Sequence, residues 1–401
     1  MIVYVVGEFP STTEYFIRNE IVCLRREGLN IKVLSLKRGR GMEDVADGIF
    51  PVYARSFIWT IGAHVYILLK EKRRYFNAFL KMPSSSHGSL YTFLKSIKTF
   101  SIGVDFLFRL RKSELRHIHA HFISLPAEVA MVMSGISGIS FSASAHARDI
   151  YTCDPRMLGV ILRSASFVIT CTAANKKYLE RAVLPKRGNN ILHVYHGIDP
   201  TAWPFRRESG EPGGRRIRLL SIGRLVEKKG LIYLLQAVSL LKRGNHSIHC
   251  NIVGDGPLKG AFQDYIERED LSDVITLCGE QSQERIKGMY AASDLFILPC
   301  IVAPDGDRDG LPNVLVEALS MGLPVIATPV SAIPELIVHG STGLLVPEKD
   351  PEGIVKSVLQ LVNDKQLYES IARNGVRKIT SEFNIDRSTS RLMDIFNLYA
   401  G

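Results

Sequence analysis

The sequence predicts an α/β protein made of two doubly wound parallel-sheet halves. Short apolar runs alternate with helix-compatible amphipathic runs along most of the chain. The alternation halts at the polar, glycine-rich segment RRESGEPGGRRIR (206 to 218) and then restarts. At 401 residues the chain also exceeds what one hydrophobic core usually organises, so two domains are expected.

The elements follow in order. MIVYVV reads as a buried strand and GEFPST as its turn; EYFIRNEIVCLRREG then places Phe16, Ile17, Ile21 and Leu24 at helical spacing, with Gly28 as the stop. IKVLSL is a second strand, which completes a βαβ unit. FIWTIGAHVYILL (57 to 69) is too short to span a bilayer. Followed by the basic, aromatic KEKRRYFNAFLK, it fits either a core helix or a helix lying on an anionic membrane face.

Strands are predicted at RHIHAHF (116 to 122), ISFSASAH (139 to 146) and SFVITCT (166 to 172). His119 is read as alternating with His117 and His121, which would send the two sets to different faces. After a linker at about 201 to 216, strands are expected at 217 to 223, 248 to 256 and 274 to 279, with helices at about 231 to 243, 259 to 268 and 283 to 293. DLFILPC, PVIATPV and TGLLVPE supply three more strands. The predicted domains are 1 to 200 and 217 to 384.

The formal charge of +10 is uneven: residues 1 to 200 hold 27 Lys/Arg against 15 Asp/Glu, and residues 201 to 401 hold 23 against 25. The basic half therefore points to an anionic partner, either a phosphorylated substrate or a membrane surface. Nucleic acid is disfavoured, because that half shows neither an aromatic stacking face nor a helix-turn-helix signature. Six scattered cysteines imply reduced thiols and a cytoplasmic setting, without a disulfide framework or zinc motif, and no signal peptide is apparent.

Several motifs can carry chemistry. In SIGRLVEKKG a strand ends at Gly223, Arg224 leaves its carboxyl edge, and Lys229 precedes the next helix, a pairing suited to phosphate oxygens. The turns at Gly254 (GDGP) and Gly7 (GEF) let backbone N–H groups approach a ligand. In DGLPNVLVEALSMG, Pro312 suits the first helical turn, and the helix N-terminus near Leu311 to Val314, with Asn313, offers unpaired N–H groups to an anion. Glu317 lies inside that helix and needs a partner or a hydroxyl-bearing ligand; Asp309, eight residues earlier, can hold a second polyol. In the first half His121 and the pair His146 and Asp149 fall at strand ends, as ligand contacts on the acceptor side or as structural residues.

Together, FPSTTEYFIRNEIVCL, HAHF, SAHARDIY, HGID, GRLVEKKG, GDGP, DGLPNVLVEALSMGLPVIAT and IPELIVHGSTGLLVP resemble the retaining glycosyltransferases of the GT-B fold, in the large fourth family that uses nucleotide-diphosphate sugars. The resemblance implies two Rossmann-like domains facing each other across a cleft, with the last helix (about 385 to 401) crossing back onto the first. It implies that Arg224 and Lys229 bind the diphosphate, Glu317 the ribose, Asp309 the donor sugar and Glu280 with Gln281 the base. His146 would stand beside the transferred sugar. The family's acidic pair is two glutamates, so Asp309 is one methylene shorter.

It further implies transfer from a nucleotide-diphosphate sugar to a saccharide or lipid-linked acceptor in surface polysaccharide assembly, with no cofactor and no divalent metal. Association with the inner face of the membrane is a further expectation. The alternatives are a sugar-nucleotide epimerase of the same fold and a non-catalytic nucleotide-sugar-binding module.

Overall fold

The computed structural model describes residues 1–11, 15–39, 57–80, 90–182, 190–203 and 216–400. Most of the expected linker therefore lies outside the described residues. The chain divides into two compact units, Met1–His196 with Ile385–Gly401, and Gly197–Asn384. The dividing point falls a few residues before the expected one, because Ile198 bridges to Asn384 and donates its N–H to Phe383 at 2.8 Å.

The first unit holds β1 (Ile2–Phe9), β2 (Ile31–Arg38), β3 (His117–His121), β4 (Phe141–Ala145), β5 (Val168–Thr170) and β6 (Ile191–His193) in the order β2-β1-β3-β4-β5-β6. Every pairing is parallel. Side chains of β1 alternate between two cores: Val3 and Val5 join Ile118 and Ala120 on one face, whereas Ile2, Tyr4 and Val6 join Phe167 and Phe396 on the other. The helix Ile385–Ala400 covers the second face and places Phe396 against Tyr4 and His119.

Two expectations are corrected here. Gly7 does not start a turn, because β1 continues through it and pairs Glu8 with Lys37 and Phe9 with Arg38. His117, His119 and His121 share one face, since residues two apart along a strand point the same way. They form a ladder with serines of β4: Ser140 meets His117 Nδ1 (2.9 Å), Ser142 lies between His117 Nε2 (2.7 Å) and His119 Nδ1 (2.8 Å), and Ser144 meets His119 Nε2 (3.0 Å).

The second unit holds β7 (Ile217–Ile222), β8 (Ile248–Val253), β9 (Ile275–Gly279), β10 (Leu295–Leu298), β11 (Val325–Ala327) and β12 (Leu344–Leu345), in the order β12-β11-β10-β7-β8-β9, again all parallel. Successive strands run outward one way from β7 and the other way from β10. The topological switch therefore lies between these two strands, and a crevice opens at their carboxyl ends, where open α/β sheets bind ligands. The helices Leu231–Arg243 and Lys259–Arg268 have the predicted limits.

Candidate functional site

Three loops meet at the switch point of the second unit. After β7 the chain makes a short 3-10 turn, Glu227–Lys229, and enters its helix through Gly230 in the left-handed region, φ 61°. A Cβ at Gly230 would lie 1.9 Å from the Pro299 carbonyl oxygen, so only glycine lets this turn pack against the end of β10. Gly254 has a similar role after β8: its Cβ would lie 2.1 Å from the Gly223 carbonyl oxygen. The two loops thus lock together through backbone, and Leu225 donates its N–H to Asp255 at 2.9 Å.

On this frame sits a compact ionic cluster. Lys229 Nζ lies 2.7 Å from Asp309 Oδ2; Lys228 Nζ lies 3.1 Å from Asp307 Oδ1 and 3.6 Å from Asp309 Oδ1. The Cys300 thiol donates to Asp309 Oδ2 at 3.4 Å. Burial works to raise the Asp309 pKa, but the two ammonium groups and the thiol outweigh it and hold the carboxyl below its usual range. Burial works to lower Lys229, and Asp309 outweighs it in turn, so the ammonium stays charged. Arg224 is exposed beside this cluster. The Asp309 carboxylate expected on a sugar is therefore engaged with Lys229, itself expected on phosphate.

Pro312 precedes the helix Asn313–Ser320, which buries Leu315, Val316 and Leu319 and leaves the N–H groups of its first turn for caps or ligands. Glu317 is half-buried on this helix, and burial raises its pKa to about 7. The Tyr290 hydroxyl lies 3.0 Å from both Glu317 Oε2 and the Val314 carbonyl oxygen. A phenol has one proton, which goes to one acceptor at a time; given to Glu317 Oε2 it favours the ionised carboxylate and opposes the effect of burial. In the loop after β9, Glu280 is exposed, and Gln281 donates to the Cys278 carbonyl at 2.5 Å. Gly310 accepts from Ala332 N–H at 3.1 Å, and Leu311 is half-buried.

In the first unit the predicted residues separate into two kinds. His146 ends β4 and caps the short helix Ala147–Tyr151. Its ring stacks at 14° on His196, with Nδ1 3.4 Å from His196 Nε2, and lies 5.0 Å from Phe16. Burial, helped by His196 and His121, pushes its pKa well down, so it is neutral at pH 7; its buried Nε2 has no hydrogen-bond partner. Asp149 and His121, by contrast, are structural. Asp149 receives the N–H groups of Ile123 (2.5 Å) and His146 (2.7 Å), and His121 is fully buried with Nε2 on Glu20 at 3.1 Å. Neither is available to an acceptor. Two donor groups, His146 with Cys171 and His196, and Glu20 with His119 and His121, have ligand atoms within 4.8 Å of one another. Linear spacing could not reveal them, since each group joins residues from segments far apart in sequence.

Sequence reasoning missed Lys228, Tyr290, Cys300, Glu20 and His196 as neighbours of these groups. Lys228 had a signal, its adjacency to Lys229. Tyr290 had none, because it meets Glu317 across 27 residues.

Two parallel six-stranded sheets, one in each unit, make a pair of doubly wound α/β domains. Residues 203–378 match the family described as glycosyl transferases group 1. The amylovoran biosynthesis glycosyltransferase AmsK of Erwinia amylovora is 35% identical over 204 residues, 51% of this chain and 50% of AmsK. A GDP-mannose-dependent alpha-(1-6)-phosphatidylinositol monomannoside mannosyltransferase of Mycobacterium tuberculosis is 28% identical over 182 residues, 45% of this chain and 47% of that protein. The chain spans about half the length of these curated relatives. HepE of Anabaena, solved with UDP-glucose, shares the fold with a TM-score of 0.74 at 16% identity, covering 99% of this chain and 100% of its own.

Proposed function

We propose that the protein is a retaining glycosyltransferase that moves a sugar from a nucleotide-diphosphate sugar to a hydroxyl of a saccharide or lipid-linked glycan, in surface polysaccharide biosynthesis, without a divalent metal. The observation that carries the reading is the ionic cluster of Lys228, Lys229 and Asp309 beside exposed Arg224 at the switch point. The activities for which AmsK and the mannosyltransferase are named support the acceptor class, and the UDP-glucose of HepE supports the donor class.

Transfer breaks the anomeric C–O bond while negative charge grows on the departing diphosphate. Arg224, Lys229 and the helix start at Asn313 receive that charge, with Gly223 and Gly254 letting backbone approach; preorganised donors of this kind contribute roughly 3 kcal/mol each. Donor phosphate draws Lys229 from Asp309, which frees the carboxylate for sugar hydroxyls while Gly310 and Leu311 offer N–H groups. Glu317 takes the ribose hydroxyls, Glu280 and Gln281 lie on the base, and His146 presents its unpaired nitrogen to the sugar.

A thermal-shift screen of nucleotide sugars, followed by product analysis with the stabilising donor, tests this. A true donor at about 100 to 1,000 times its dissociation constant stabilises by roughly 3 to 4 kcal/mol. Transfer persisting in EDTA supports metal independence. A released, altered nucleotide sugar without any acceptor would instead identify an epimerase, and binding without turnover a non-catalytic module.

A further inference from the structure

Eleven of the sixteen exposed large apolar side chains among the described residues fall between Ile58 and Ile97. They are arranged by helix periodicity. On the helix Phe57–Lys70, Ile58 (80% exposed), Ile61, Val65 and Leu69 (80%) recur at intervals of three and four, which makes one stripe. On the helix Leu90–Leu110, Leu90 (71%), Phe93, Leu94 and Ile97 repeat the pattern, whereas its later residues Phe100, Val104, Phe106 and Leu107 are buried in the core. Between them in sequence, Lys72–Leu80 has no buried residue and exposes Phe76 and Leu80. The inner faces are fully used: Trp59 donates to Asp105 at 3.0 Å, and Ala63 and Ile67 join the core. The outer stripes are thus a second apolar face on helices already packed. Exposed apolar patches of this extent mark interaction surfaces.

Charge selects the partner. Lys70, Lys72, Arg73, Arg74, Lys95 and Lys98 are exposed on the same helices, against one acid, Glu71, on Phe57–Leu80 and none on 90 to 98. Arg74 contacts Glu71 and Lys95 contacts Glu128, but Lys70, Lys72 and Arg73 make no ion pair among the described residues. A second copy docked face to face would set these cations against one another. We infer that the three helices form a surface that docks peripherally on an anionic lipid bilayer, with the apolar stripes in the acyl boundary and the cations at the headgroups. No described helix is long and apolar enough to cross a membrane. The inference rests on the proposed function only in that a lipid-linked acceptor would be met there; lipid binding itself requires no catalysis.

The test is cosedimentation of the full chain with phosphatidylcholine vesicles with and without phosphatidylglycerol. The wild type partitions onto the anionic vesicles and is released by raising NaCl. Lys72→Ser with Arg73→Ser lowers partition about twenty-five-fold, at about fivefold per cation; Leu69→Asp with Phe93→Asp lowers it at least about tenfold. Both variants retain the wild-type melting temperature and transfer to a water-soluble acceptor. Absence of binding, equal binding to neutral vesicles, or concentration-dependent dimerisation abolished by the Leu69→Asp/Phe93→Asp pair overturns the inference. Failure of glycosyl transfer by the wild type on every donor refutes the proposed function alone.

Discussion

The carboxyl edges of the two sheets share a parallel topology and differ in how they treat polar side chains. In the second unit the edge carries half-exposed charges poised around a crevice: Lys228, Lys229, Asp309 and Glu317. In the first unit β3 places three fully buried histidines in register with serines of β4, where each ring is neutralised or bonded rather than offered to a ligand. Burial lowers the His117 pKa to about 4 and holds that of His119 well below its usual value, so these rings are neutral hydrogen-bonding core residues. Among these rings, His121 at Nδ1 and His146 at Nε2, each at a strand end, retain a buried nitrogen with no hydrogen-bond partner. Similar sheets thus either leave polar residues partly exposed in an ionic cluster or spend them on one another in the core, and burial with bonding partners distinguishes the two.

The largest expected effect breaks the comparison at its functional side. Lys229→Ala and Glu317→Ala each lower transfer at least about a hundredfold with the melting temperature kept, as steady-state kinetics with the identified donor would show. A near wild-type rate in either variant would falsify the assignment. Asp309→Asn should fall next: it keeps the shape but removes the charge paired with Lys229, and a drop of roughly tenfold or more in kcat/KM is expected, with Asp309→Glu recovering more than half of it.

The cohesive side should respond in stability instead. His119→Ala leaves Ser142 and Ser144 without their ring partner and opens a cavity beside Tyr4, at about 2 to 4 kcal/mol in urea unfolding, while Lys229→Ala at the crevice changes stability far less. If the two variants exchanged phenotypes, the division between the edges would collapse.

A subtler effect is in pH. Glu317 titrates near 7 in the free protein because burial opposes its charge, so a carboxylate needed for ribose binds donor more tightly as pH rises through about 7. Tyr290→Phe removes a hydrogen bond that lowers this pKa, and the midpoint of donor affinity against pH should move upward. An unmoved midpoint would mean that another group controls the profile.

The element pattern was largely legible in the sequence. Helices Leu231–Arg243 and Lys259–Arg268 were delimited correctly, because apolar periodicity and turn residues bracket them within a few residues. The loop that carries Arg224 and Lys229 and the DGLPN entrance were legible as strand-to-helix junctions for the same reason, because their glycines and charges are local in sequence. β6, Ile191–His193, was missed because three residues give no period to detect. Gly7 was misread because a buried parallel strand can continue through a glycine without any change in local sequence.

The sequence by itself determined two βαβ-type halves, the charged loops between their strands and helices, and the stripe spacing of residues 58 to 69, all of which depend on neighbours a few positions apart. Tertiary structure alone decided which polar groups were spent on one another. Tyr290 reaches Glu317, Glu20 reaches His121, and Asp149 reaches the backbone of Ile123 only because the fold packs helices distant in sequence against one another and against strand ends. A hydrogen bond acts over about 3 Å of space regardless of chain separation, so a residue's role as ligand contact or internal brace is fixed by the fold that brings its partner.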